Sequence, residues 1–145
     1  MPLHRTMRAR LIFGTSSLPP LLMPVALDYL IFDYSEDDEG TATWDAMANV
    51  PAPQFAALEK EVLQVLLWAD QQFPRQRGAI DEGATWDFDL HASTDAQGAL
   101  RTAIDWQAPA LRLPAVAAHE RITLTLTLSG RSAFADAFVR AFEVE

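Results

Sequence analysis

The sequence predicts an α+β fold: a mainly antiparallel sheet of about six strands with two helices on one face, in the element order βββα-βββα. Three observations carry this expectation. Several segments alternate apolar and polar residues with the period of two of a half-buried strand, most cleanly Ile122, Leu124, Leu126 and Leu128 against Arg121, Thr123, Thr125 and Thr127. Two other segments space their apolar residues by three and four, as an amphipathic helix does. Each of those segments follows a group of three strand-like ones, and an amphipathic helix needs a sheet or another helix to cover its stripe.

Residues 8–15 read as the first strand, after a tail over residues 1–7, and the Ser-Ser-Leu-Pro-Pro stretch that follows is loop chemistry. Residues 27–35 form the second. Leu30, Phe32 and Tyr34 lie on one face and Tyr29 and Ile31 on the other, which predicts a strand covered on both sides. The charged run Glu36, Asp37, Asp38, Glu39 ends at Gly40 as a hairpin turn, and residues 41–50 return as the third strand. Trp44, Ala46 and Ala48 share one face of it, and Thr43, Asp45, Met47 and Asn49 the other.

Pro53 at a first-turn position opens a helix over residues 53–73, striped by Phe55, Leu58, Val62, Val65, Leu66, Ala69 and Phe73. Pro74 and Gly78 end it. Trp68, off the main stripe with Leu63 and Leu67, either widens the buried face or marks a partner groove. Residues 84–92 alternate strictly, with Trp86, Phe88 and Leu90 inward and Asp87, Asp89 and His91 outward, and a Thr-Asp-Ala-Gln-Gly turn leads to a strand over 99–107. Residues 108–119, with Pro109 and Pro114, read as an irregular connection. Residues 120–129 complete the second set of strands. Ser132 caps the last helix, striped by Phe134, Phe138 and Phe142.

One phrase occurs twice, as DEGTATWD from Asp38 and as DEGATWD from Asp81. Each copy reads as an acidic turn ending in Gly, then a strand whose Trp and Asp point to opposite faces. The copies fall in the third strand of one half and the first strand of the other. They are a turn-and-strand device used twice, out of phase with the βββα order.

At 145 residues the chain has the length of one domain, residues 1–145, able to bury a core without metal or disulfides. Half of its residues are apolar and 21% are charged, which is globular composition. A net charge of -9 argues against nucleic acid or an acidic membrane surface as partner and favours a basic protein or a cation. No apolar run reaches the length of a membrane span. Pro19, Pro20 and Pro24 interrupt the apolar N-terminal stretch that an export signal would need, so a cytoplasmic location is expected.

No motif names a reaction. There is no cysteine, no phosphate-cradling glycine loop and no nucleophile elbow, and the single lysine, Lys60, lies between Glu59 and Glu61. The first reading is therefore a small acidic, non-enzymatic binding module that needs no cofactor. Its partner would be a basic protein, met at Glu36, Asp37, Asp38 and Glu39 or on the open sheet face, or a second copy of the chain. The alternative is a divalent-metal protein or metal-dependent hydrolase. Asp87, Asp89 and His91 project from one strand face at the spacing of two, and two carboxylates with an imidazole suit a hard or borderline cation. A solvated face with Asp89 paired to Arg101 is the plainer account of the same residues.

Overall fold

The structure, a computed structural model, describes residues 3–8, by their backbone, and residues 25–142. In chain order the elements are β1 (Leu3–Arg8), β2 (Ile31–Glu36), β3 (Ala42–Pro51), a 3₁₀ turn (Ala52–Gln54) and α1 (Phe55–Gln72). A second 3₁₀ turn (Ile80–Glu82) precedes β4 (Trp86–Thr94), β5 (Gly98–Leu100), β6 (Ala103–Asp105), β7 (Ala110–Arg112), β8 (Arg121–Gly130) and α2 (Ser132–Phe142). Six strands make one antiparallel sheet in the order β1-β2-β3-β8-β4-β5, and β6 and β7 pair separately. The predicted α+β class holds, with both helices on one face.

The core is the inner face of this sheet. Ala42, Trp44, Ala46, Ala48 and Val50 from β3 and Leu124, Leu126 and Leu128 from β8 are buried together with Leu58, Val62, Val65 and Leu66 of α1 and Phe134, Phe138 and Phe142 of α2. Alternation on the strands and four-residue spacing on the helices therefore select the same interior. Its centre is aromatic. Phe134 stacks on Trp86 at 5.6 Å and nearly parallel, and Trp44 meets Phe138 edge-on at 4.8 Å. Trp68 packs edge-on against Phe142 at 5.2 Å, which makes it part of the core. Among the described residues the buried indole N–H groups of Trp44 and Trp86 find no acceptor, and ring packing holds these side chains.

Several expectations shift. Of the first predicted strand only Arg8 lies in β1, and the rest falls outside the described residues. Residues 3–7, read as a tail, pair with β2 as the edge of the sheet. The second strand begins only at Ile31, and it is covered on one face: Phe32 is buried while Ile31 is 41% exposed. Residues 28–30 ahead of it form a bend instead of a strand. Their successive N–H groups all point at the Glu61 carboxylate, which accepts from Asp28 at 2.6 Å, Tyr29 at 3.0 Å and Leu30 at 3.1 Å. Glu61 itself is only 9% exposed. Two residues earlier on α1, Glu59 accepts the N–H of Leu111 at 2.7 Å and so ties β7 to the helix.

The strand predicted over residues 99–107 breaks in two. Leu100 is the last residue of this segment to pair in the main sheet, and the Thr102 hydroxyl donates to the Leu100 carbonyl at 3.0 Å at the point where the chain turns away. Beyond it β6 leaves β4 and pairs with β7, a strand inside the segment expected to be irregular. Arg112 closes this small hairpin on Asp105 at 2.8 Å. The Asp105 carboxyl is held below the usual carboxylate range by that hydrogen bond first, then by the N–H groups of Ala108 and Gln107.

The twice-used phrase gains a spatial meaning. Its glycines, Gly40 (φ 83°) and Gly83 (φ 97°), take the left-handed conformation that both acidic turns require. The strands that follow flank β8, with Trp44 opposite Leu128 on one side and Trp86 opposite Gly130 on the other. The halves differ in connection, since β3 pairs with β2 whereas β8 lies between β3 and β4. The expected βββα-βββα order is not kept either: the first half is βββα and the second βββββα, because residues 99–107 divide into β5 and β6 and β7 is added.

Candidate functional site

The sheet face away from the helices is the surface on which the candidate residues collect. Register brings Asp33 of β2 opposite Asp45 of β3, Asp45 opposite Thr127 of β8, and Thr127 opposite Asp89 of β4. Three carboxylates thus stand in one cross-strand row. The next row holds Thr43, Ser129 and Asp87, and on the other side lie Met47, Thr125 and His91. Outward positions of the central strands are threonine, serine, asparagine or acid, apart from His91 on β4 and the Pro51–Arg121 pair at the end of β3 and start of β8, with Met47, 68% exposed, as the large apolar exception. Ile31 and Met47 each lie one residue beyond the paired Phe32 and Ala46, so the two exposed apolar side chains are neighbours.

Hydrogen bonds organise part of this face. The Thr127 hydroxyl donates to Asp45 Oδ1 at 2.6 Å, and Asn49 Nδ2 donates to Thr123 Oγ1 at 2.8 Å. Arg121 closes the start of β8 by donating through Nε to Asn49 Oδ1 and through Nη2 to the Asn49 carbonyl at 3.1 Å.

Asp87, Asp89 and His91 do share this face, as their spacing requires. His91 Nε2 lies 2.9 Å from Asp89 Oδ2, so Asp89 meets His91 and not Arg101. Asp87 is engaged locally, its Oδ1 accepting the N–H of Phe88 at 2.9 Å. Among the described residues no three His, Asp or Glu side chains converge as metal ligands. The acidic turn is similarly divided. Asp37 Oδ1 accepts the N–H groups of Glu39 and Thr41, both at 2.9 Å, and so builds the hairpin, while Glu36 accepts the Tyr34 hydroxyl at 2.9 Å. Asp38 and Glu39 stand exposed at the tip.

The residues that sequence reading left out of the site are Asp33, Ile31 and Met47. A signal for them existed: a hairpin centred on Glu39 fixes Asp33 opposite Asp45. Among the described residues no helix is long and apolar enough to cross a membrane. No protein-family model, curated protein or solved structure matches the chain.

Proposed function

We propose that the protein is a small acidic, non-enzymatic binding module of the cytoplasm whose open sheet face takes a basic protein partner. The observation that carries this reading is the row Asp33, Asp45, Thr127, Asp89 on a face that neither helix covers. Like charges directly opposite one another destabilise a strand pair by roughly 0.2–1 kcal/mol. Alternation demands only that these positions be polar, and threonine, used along β8, would serve at no such cost.

Ile31 and Met47 give the face an apolar spot beside its acidic row, the anatomy of an interface with a water-excluding centre and a charged rim. The exposed acids of the hairpin, Asp38 and Glu39, extend the negative potential to one end of the sheet. Such a field speeds encounter with a positively charged partner and weakens with salt. It also disfavours a second copy as the partner, because stacking this face on itself opposes like charges.

Capture on the immobilised protein at low and high salt, beside a Met47→Glu variant, tests the reading. The expected result is a basic protein that is retained at low salt, released at high salt and lost from Met47→Glu. Captured proteins indifferent to both salt and the substitution would overturn it.

A further inference from the structure

We propose that the corner of the open face made by Asp33, Asp45, Ile31 and Met47 seats one arginine side chain of the basic partner, its stem along the two apolar residues and its guanidinium bridging the two carboxylates. This rests on the open-face reading and names the side chain that the face takes. Register fixes the corner. Phe32 pairs with Ala46 and Asp33 with Asp45, so the next position sets Ile31 opposite Met47. Residues two apart on a strand share a face. The four side chains therefore form two adjacent rows, one acidic and one apolar.

Sheet geometry gives the corner its dimensions. Directly opposed side chains have Cβ atoms about 4.5–5.5 Å apart, and successive rows on one face lie about 6.6–6.8 Å apart along the strands. Both rows are open to a partner. Met47 is 68% exposed and Ile31 41%, and the third large apolar side chain exposed among the described residues, Val139, lies on α2. The acids keep acceptors in hand. Thr127 takes Asp45 Oδ1 and leaves Oδ2, and among the described residues the Asp33 carboxylate accepts no hydrogen bond. The other end of the carboxylate row offers nothing similar: Asp89 stands opposite Thr127, meets His91 at 2.9 Å, and has Asp87 and His91 in place of apolar neighbours along its face.

An occupant of this corner must carry apolar length and, one row away, positive charge with donors for two acceptors. Arg and Lys both lay their methylene stems on apolar surface while the head reaches polar groups. Their heads differ. A guanidinium is planar, weakly hydrated and rich in N–H groups held in a fixed fork, so it can donate to two facing carboxylates at once, whereas an ammonium is a compact, strongly hydrated point charge. Bridging also relieves the repulsion that the Asp33–Asp45 pair carries in the free protein. An arginine anchored beside an apolar floor is a frequent centre of protein interfaces.

The probe is acetyl-Gly-Arg-Gly-amide, titrated into the full chain at low salt while NMR follows the side-chain carboxyl carbons and the methyl groups of Ile31 and Met47. Asp33, Asp45, Ile31 and Met47 are expected to shift together along one saturating curve that Asp38 and Glu39 of the hairpin tip do not follow. Replacing the arginine by citrulline, which keeps the length and removes the charge, should weaken binding at least tenfold, and replacing it by lysine at least threefold. In the protein, Asp33→Asn and Met47→Ser should each weaken the arginine peptide at least threefold. An equal response at Asp38 and Glu39, equal affinity for the arginine and lysine peptides, or indifference to Asp33→Asn would overturn the proposal. So would binding that appears only in Arg8→Gln: register sets Arg8 opposite Ile31, and the chain's own arginine would then hold the seat. Capture of a basic protein on the open face together with silence toward this peptide would remove the arginine seat and leave the open-face reading standing.

Discussion

Replacing Glu61 with glutamine should cost more stability than any surface substitution on α1, although the two side chains have nearly the same shape. The carboxylate accepts three successive backbone N–H groups, those of Asp28, Tyr29 and Leu30, at 2.6 to 3.1 Å, and the Leu30 bond is buried. Glutamine keeps one acceptor oxygen and turns the other into a donor facing donors. At least one N–H is then left without an acceptor, at about 1–3 kcal/mol, and the bonds that survive lose the strength an ionised acceptor gives. The expected loss is about 2–4 kcal/mol, within the usual total of about 5–15 kcal/mol, so the variant still folds. At roughly 4 °C per kcal/mol for a chain of this size the midpoint should fall by about 8–16 °C. Urea denaturation gives the free energy, and amide exchange at residues 28–30 should accelerate beyond the global change. A loss under about 0.5 kcal/mol, with exchange at those residues unaltered, would refute the assignment of Glu61 as the clamp on this segment.

Gly130→Ala should destabilise by about 1–3 kcal/mol in thermal or urea unfolding, because overpacking displaces side chains. A Cβ there falls within 2.7 Å of Phe134 Cβ and against its ring, which itself stacks on Trp86. Asp33→Asn should raise stability by about 0.2–1 kcal/mol at low salt, by relieving the repulsion with Asp45, and the gain should shrink as salt is added. For Asp105 the folded-state pKa is depressed, so its contribution is present above the unfolded pKa and is lost as pH falls through the folded value. NMR titration should place this carboxyl below the ordinary carboxylate range, and Arg112→Gln should move it up.

Periodicity made the elements legible, and with them the two faces. Every inward residue of β8 was readable from Ile122, Leu124, Leu126 and Leu128, because each position of a central strand obeys the same alternation. The open face was readable as well, since Thr43, Asp45, Met47 and Asn49 must point one way if Trp44 is buried. Strand order was not legible. Nothing local says that β8, last in sequence, inserts between β3 and β4, and this insertion is what lines up Asp45 and Asp89 across Thr127. The break at Leu100 was hidden for a similar reason: residues 99–107 alternate well enough for one strand, and it is the pairing of β6 with β7 that draws them apart. Glu61 did leave a trace, as a carboxylate beside Val62 and one turn after Leu58 on a buried helix face. Asp87, Asp89 and His91 do share one face of β4, as their spacing required, but a shared face is not a shared centre. Side chains two apart on a strand can meet in pairs, as Asp89 and His91 do, while the third serves its own backbone.

The claim that the open acidic face is the working surface is tested most directly by photo-crosslinking from single positions in cell extract. A crosslinker at Met47, in the middle of that face, should yield an adduct with a basic protein that disappears at high salt. The same group at Lys60, exposed on the outer side of α1, should yield none. An adduct from Lys60 with nothing from Met47 would contradict the account.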